Sequence, residues 1–305
     1  MSRSGEILVL VNPAAGRGRR RARLRDYIAL LHHHIGPFEP AFTTRAGDEV
    51  RLLDGALHNG VECIVALGGD GTWGAAADRI LASGRRDVAL GLLPVGTGND
   101  FGKSIGVRHE RIRDVMRAIA ERTTRTVDAG RVGDRYFLNV VGMGFDIAVI
   151  DDAARTPLLR GDMLYKFCAL KQLFRFPGTS LSITPEGGET RSLRALMLTI
   201  SNANYFGGSF HIAPRAKLDD GRLDLVAIHD ADPFTRAKLF DAVGKGRHEN
   251  LREVEFMTAP SFRIGFEGTL RYEADGEVYA STSPLVVSSV PAALRVCAPV
   301  DGGAR

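Results

Sequence analysis

VECIVALGGDGTW, residues 61–73, and VALGLLPVGTGNDF, residues 88–101, decide the fold. Each opens on an apolar run, Ile64 to Leu67 and Val88 to Leu93, with the length and β-branched content of a buried parallel strand. Each run ends in a glycine-rich turn, where the missing side chains let the backbone approach a ligand and Asp and Thr oxygens gather at one edge. Two such turns at the carboxyl ends of neighbouring strands are where an open α/β sheet binds a phosphorylated ligand. The first expectation is therefore a nucleotide site.

Working outward, the pattern from residue 6 to about 122 alternates strand and helix. ILVLV (7–11) reads as a strand, followed by the loop NPAAGRG and a basic helix to about His33. A strand near Phe38–Thr43 and a helix over about 47–59 come next. After the two glycine units, RHERIRDVMRAIAERT (108–123) places Ile112, Val115, Met116 and Ile119 on one helical face. Repeated β–α units imply a parallel sheet covered by helices on both sides. After about Thr126 short strand-like runs dominate: 135–142, 180–184, 193–201, 223–228, 261–266 and 285–289. Helical pieces at about 159–174 and 233–246 interrupt them, and the first carries an apolar stripe of Leu164, Phe167, Leu170, Leu173 and Phe174. That texture predicts an antiparallel β-sandwich with inserted helices. The expected division is an α/β nucleotide-binding domain over 1–126, a β-sandwich substrate domain over 127–292, and a C-terminal segment, 293–305, that could return to the first domain.

A chain of 305 residues holds a large core, and two domains suit its length. Cys63, Cys168 and Cys297 are far apart in apolar sequence, with neither metal nor disulfide spacing, so they read as buried thiols in a reducing compartment. No signal peptide and no bilayer-length apolar run is legible, and a cytoplasmic protein is expected. The net charge of +4 is concentrated: Arg17, Arg19, Arg20, Arg21, Arg23 and Arg25 crowd residues 17–25. Such a run attracts nucleotide phosphates or an anionic membrane surface, and a solvated helix face explains it equally well. No aromatic interleaving accompanies it, so nucleic acid is not an expected partner.

Two familiar glycine motifs are near misses. Gly69-Asp-Gly71-Thr-Trp-Gly74 matches the dinucleotide fingerprint, but the next strand ends Leu92-Leu93-Pro94, without the carboxylate that would bind a ribose. Gly102-Lys103-Ser104 ends like a Walker A loop, but Thr97 stands where its first glycine belongs. What remains are two turns with a carboxylate in each. Asp70 can hold Mg²⁺ on triphosphate oxygens, amides of Gly68 to Thr72 can bind the phosphates, and Thr97 and Asn99 add hydrogen bonds from the second loop.

At these residues the chain resembles the diacylglycerol kinase-like lipid kinases, the superfamily that also holds sphingosine and ceramide kinases. The resemblance rests on Asn12-Pro13…Gly16, Thr43 before Gly47-Asp48, GGDGT (68–72), LPVGTGNDF (93–101), GMGFD (142–146), SNANYFGGSFHIAPRAKLDDGRLDLV (201–226) and Asp275-Gly276-Glu277, in the family's order. It implies ATP in a cleft between an α/β domain and a β-sandwich, with a soluble enzyme visiting the membrane surface to phosphorylate a lipid hydroxyl. It assigns the proton acceptor of the DGE motif, with Asp275 and Glu277, to Glu277. Nucleotide contacts carry over to Thr43, Gly68, Gly69, Asp70, Gly71, Thr72 and Thr97, and Asn12 belongs to the family's first loop. It also implies a structural Mg²⁺ on the carbonyls of Lys217 and Arg222 with the Asp220 carboxylate. The residues support part of this independently, because Asp275-Gly276 between LRYE and VYA reads as a two-residue hairpin turn that puts Glu277 at a tip.

The chain departs from the family after GGDGT. A hydrophobic residue followed by Asn-Glu is usual, and Trp73-Gly74-Ala75 stands here, with Trp73 expected to pack the helix start on the sheet. Metal geometry is therefore less legible than fold. Two further readings stay open: an NAD kinase-like enzyme, which shares GGDGT but has an acceptor segment not found here, and a catalytically silent nucleotide- or lipid-binding regulator. His32-His33-His34 reads as a helix end and His211 as packing or cleft lining.

Overall fold

A computed structural model of the chain describes residues 7–15, 19–45, 47–156, 162–208 and 210–299. Gly16, Arg17 and the first residues of the helix expected over 159–174 lie outside them, and the side chains of Arg19, Arg20 and Arg21 are not described.

The first half is built as β1 (Ile7–Val11), α1 (Arg19–Ile35), β2 (Ala41–Phe42), α2 (Asp48–His58), β3 (Cys63–Gly68), α3 (Asp70–Ala82), β4 (Ala89–Pro94), α4 (Asp100–Ser104) and α5 (Ile112–Glu121). The strands are parallel in the order β4-β3-β1-β2. Every residue of β3 and β4 is buried, as expected of strands covered on both faces. Helices α2 and α3 pack together, as do α1 and α5. With right-handed crossovers, the step from β1 to β2 and the steps on to β3 and β4 put those pairs on opposite faces. The direction in which successive strands are added thus reverses between β1 and β3, and a crevice opens at their carboxyl ends. Val115, Met116 and Ile119 of α5 are buried as their spacing requires, while the strand expected over 38–43 shrinks to two residues.

The second half comprises β5 (Thr124–Val132), β6 (Arg135–Phe137), β7 (Val140–Gly144), α6 (Phe145–Ala154), α7 (Asp162–Arg175), β8 (Thr179–Pro185), β9 (Arg191–Ser201), β10 (Leu223–His229), α8 (Pro233–Gly244), β11 (Val254–Ala259), β12 (Ser261–Gly265), β13 (Leu270–Ala274), β14 (Glu277–Ser281) and β15 (Leu285–Cys297). Its strand pairs are antiparallel and enclose a core that includes Phe137, Leu198, Ile200, Phe262 and Val287. A third cluster, with Cys168, Leu173, Ile212, Val226 and Leu239, lies under α6, α7 and α8.

Two long strands join the halves. β5 pairs with β15 along nearly its whole length, and the last residues of β15 run parallel to β4, Arg295 opposite Ala89. Between Val290 and Leu294 the register of β15 shifts, and Ala292 takes a φ of +48°. Asp128 on β5 holds that bulge by accepting the Ala292 N–H at 2.7 Å. The strands therefore form one continuous sheet from β2 to β14.

Helix α7 corrects one detail. Its apolar residues do not form a single packed stripe: Cys168, Ala169 and Leu173 face the core, whereas Phe167, Leu170 and Phe174 are 50%, 57% and 62% exposed. Positions 167, 170 and 174 share one helical face, turned away from 168, 169 and 173.

Candidate active site

The two glycine loops use most of their glycines on each other. A Cβ on Gly96 would stand 2.5 Å from Gly69 Cα, and one on Gly98 would stand 2.8 Å from Asp70 Oδ2. A Cβ on Gly68 would meet Thr72 Oγ1 at 2.4 Å. Gly68 C=O accepts Val95 N–H and Gly96 N–H at 2.8 and 3.0 Å. Gly71 alone of this set faces open space, and it lies in the first turn of α3, where backbone N–H groups lack helical partners.

A cleft of about 260 Å³ opens there, lined by Asn12, Ala15, Thr43, Glu49, Gly69, Gly71, Thr72, Ala75 and Glu277. Four separate stretches of chain meet in it. Asn12, directly after β1, donates through Nδ2 to Thr72 Oγ1 at 3.1 Å, and Thr43 N–H bonds Val11 C=O at 2.9 Å. The structure thus brings Asn12, Thr43, Gly69, Gly71, Thr72 and Glu277 together. Asn99 is instead a brace: at φ +52° it donates to Gly96 C=O, and it is not part of the lining. Thr97 lies exposed on the second loop, outside the lining. Glu49 joins the lining, and its place in the first turn of the helix behind Thr43 is the only mark of this in the sequence.

Asp70 begins α3, and its Oδ1 accepts the N–H of Asp100 at 2.6 Å and of Phe101 at 3.3 Å. Burial, and then the neighbouring Asp100, push its carboxyl above the ordinary aspartate range. Asp100 in turn ties the halves together, accepting Gly208 N–H at 2.7 Å and Lys103 Nζ at 2.8 Å. Trp73 is fully buried and its Nε1–H bonds Ala66 C=O of β3, so it does pack the helix start on the sheet.

Asp275 and Gly276 have φ of +48° and +89°, the signature of a type I′ turn, with Ala274 opposite Glu277. The Asp275 carboxylate accepts three backbone N–H groups, from Leu138, Asn139 and Val140, at 2.7, 2.9 and 3.1 Å. Burial outweighs these bonds and pushes it up to about 6. Its Oδ2 would be 3.6 Å from a Cβ on Gly74, an ordinary contact, so the turn packs directly on the first part of α3. Asp275 therefore braces the turn, while Glu277, exposed at the start of β14, reaches the cleft.

The Lys217–Arg222 loop lies away from this cleft. Lys217 and Asp220 line a second one of about 610 Å³ with Asp224, whose carboxyl burial raises. Asp220 Oδ1 accepts Arg222 N–H at 3.0 Å, and Asp128 fixes the loop through Gly221 N–H at 2.7 Å and Leu218 C=O at 2.6 Å.

Comparison with known proteins decides the family. Residues 6–132 match the diacylglycerol kinase catalytic domain, and residues 139–298 match the YegS C-terminal NAD kinase beta sandwich-like domain. The chain is 30% identical over 303 residues to a diacylglycerol kinase of Mycobacterium tuberculosis, covering 98% of this chain and 96% of that one. It belongs to the diacylglycerol kinase-like lipid kinases. Two solved structures agree in fold. A diacylglycerol kinase from Bacillus anthracis superposes with a TM-score of 0.74 at 22% identity, covering 98% of each chain. An NAD kinase from Archaeoglobus fulgidus in complex with ATP does so with a TM-score of 0.51 at 9% identity, covering 96% of this chain and 94% of that one.

A lipid kinase is a phosphotransferase acting on an alcohol, and the family implies use of a nucleotide. The cleft suits the phosphates of a nucleotide: a helix N-terminus with Gly69 and Gly71 forms part of its wall, Asn12, Thr43 and Thr72 bring polar side chains, and it is smaller than the ~300–1,000 Å³ of whole-ligand pockets. Among the described residues no three His, Cys, Asp or Glu side chains could hold a metal ion together. Mg²⁺ does not need such a cage in phosphotransferases, because one or two carboxylates and the phosphates themselves suffice. Asp70 does not line the cleft, but it follows Gly69 of the lining and has only Oδ1 taken by amides, so its second oxygen is the carboxylate oxygen nearest in sequence that could take part.

Proposed function

We propose that this lipid kinase transfers the γ-phosphate of ATP, with Mg²⁺, to a hydroxyl of a lipid acceptor such as diacylglycerol or a related lipid. The observation that carries the reading is the meeting of Glu277 with Asn12, Thr43 and the Gly69–Thr72 turn around one cleft. Amides of the α3 N-terminus and the Asn12 side chain bind and orient the phosphates, with Thr97 closing from the second loop. Glu277 accepts the proton of the acceptor hydroxyl as its oxygen bonds to the γ-phosphorus and the bond to the β-phosphate oxygen breaks, releasing ADP. Phosphoryl transfer depends mainly on positioning and charge neutralisation. Mg²⁺, when bound, would supply the neutralisation, and Asp70 is the side chain proposed to hold it. A second Mg²⁺, of structural role, is assigned to Asp220 and the Lys217 and Arg222 carbonyls.

The acceptor implies contact with a membrane surface. Among the described residues no helix is long and apolar enough to cross one. The exposed face of α7 and Phe234 of α8, which is 78% exposed, offer an apolar surface next to the exposed Arg175. Aromatic and basic groups in that combination suit an interfacial contact.

The test is transfer of label from [γ-³²P]ATP with Mg²⁺ into a mixed lipid extract, with NAD in parallel. A labelled organic-soluble product is expected, and its mobility begins to name the acceptor. Label in NADP, or ATP binding without transfer to any lipid, would overturn the reading.

A further inference from the structure

Tyr279 follows Glu277 by two residues on β14, so both side chains leave the same face of the strand. Its hydroxyl donates to Glu277 Oε2. Across the hairpin Tyr279 stands directly opposite Tyr272, with ring centroids 5.6 Å apart. From β6, Arg135 lays its guanidinium 4.7 Å from the Tyr279 ring centroid. Burial and the bond to Glu277 hold the phenol well above the ordinary tyrosine range, with Arg135 opposing. Glu277 lines the cleft; Tyr279 and Arg135 do not.

We infer that Tyr279 is a positioning residue for Glu277, held in turn by the Arg135 guanidinium stacked on its ring. The inference rests on Glu277 being the proton acceptor. An exposed glutamate on a hairpin tip samples many rotamers, and ordering it at the moment of reaction is entropically costly. A hydrogen bond to Oε2 from the same strand restricts that freedom beforehand and leaves Oε1 for the acceptor proton. The cation over the ring fixes the phenol without touching substrate. A phenylalanine at 279 would keep the contacts to Tyr272 and Arg135 and lose only the donor. That makes the role separable from packing.

Steady-state kinetics on the full chain, with ATP and diacylglycerol in mixed micelles, compare wild type, Tyr279→Phe, Arg135→Gln, Arg135→Lys and Glu277→Gln. Tyr279→Phe is expected to lower kcat about tenfold with the KM for ATP unchanged, the effect of losing one hydrogen bond to a charged group. Arg135→Gln should lower kcat in the same direction, and Arg135→Lys should recover it. Unchanged kcat in Tyr279→Phe alongside an inactive Glu277→Gln overturns the positioning role and spares the base. Full turnover in Glu277→Gln overturns the base and the positioning role together.

Discussion

Asp70 Oδ1 accepts the backbone N–H of Asp100 at 2.6 Å, so the carboxylate at the head of α3 also begins the helix after the second glycine loop. The same residue holds two loops together, and its other oxygen lies against Gly98 of the second loop. Asp70→Asn keeps an acceptor for the amides and removes the charge. It should therefore fold nearly as well as wild type while Mg²⁺-dependent turnover falls by two orders of magnitude or about that. Asp70→Ala removes both and should also lose about 2 kcal/mol of stability. Denaturant melts and Mg²⁺ titrations of the two variants check the distinction; equal kinetics in Asp70→Asn and wild type would remove the metal role.

Glu277→Gln retains shape and loses basicity. Turnover should fall by about 10²–10⁴, the span of general acid–base contributions, with ATP affinity close to wild type. Calorimetric ATP binding beside radiolabel transfer measures both.

Asp128 is buried, and its two oxygens accept Gly221 N–H and Ala292 N–H, each at 2.7 Å. Asp128→Ala leaves both donors without partners, and hydrogen bonds to charged groups are worth about 1.5–3 kcal/mol each. The expected loss is about 3 kcal/mol or more, read as a lowered urea midpoint with little change in slope.

Asp146 is buried beside Gly142 and Glu273, and burial, outweighing the N–H groups at the start of its own helix, pushes it up to about 7. Glu273, wholly buried beside it, is raised well above its ordinary value by burial and by Asp146. A carboxyl whose folded value exceeds its unfolded one stabilises the fold when protonated, and that stability is lost as pH rises. For Asp146 the loss runs from about 4, its unfolded value, to about 7. Asp146→Asn cannot ionise, so its Tm should fall less than that of wild type between pH 5 and pH 8, or about those values. Parallel Tm profiles for the two proteins would refute the assignment.

Phe167→Ser with Phe174→Ser removes two exposed rings from α7 without opening the core. Sedimentation with anionic vesicles should show binding reduced about tenfold or more, since each ring contributes roughly 1–2 kcal/mol of apolar burial. ATP affinity should not move. Undiminished vesicle binding would place the membrane contact elsewhere.

Much of this molecule is legible along the chain. Ile64–Leu67 and Leu90–Leu93 are continuous apolar runs because strands buried on both faces allow no polar position, and the turns after them are short enough to read directly. Asp275-Gly276 is legible for the same reason: a two-residue turn needs positive φ at both positions, and few residue pairs supply it. β5 and β11 were not legible as strands. TRTVDAGRV mixes charge with glycine, and VEFMTA, paired only with β10, is half-exposed along most of its length. Neither carries a clean period of two.

Local sequence thus determined the parallel α/β half, its glycine turns and the hairpin that carries Glu277, because each depends on residues adjacent in the chain. Tertiary structure alone decided which glycine of the two loops faces open space. Gly68, Gly69, Gly96 and Gly98 are taken up by contacts of the two loops with each other or with nearby side chains, and Gly71 is left open. It also decided that Asn99 and Asp275 are braces, that α7 turns Phe167, Leu170 and Phe174 outward, and that Tyr279 and Arg135 stand behind Glu277. These are relations between segments up to roughly half the chain apart. The longest of them, Asp275 on the 138–140 backbone and Arg135 on Tyr279, are encoded by no local preference, because they arise only when strands distant in the chain are folded side by side.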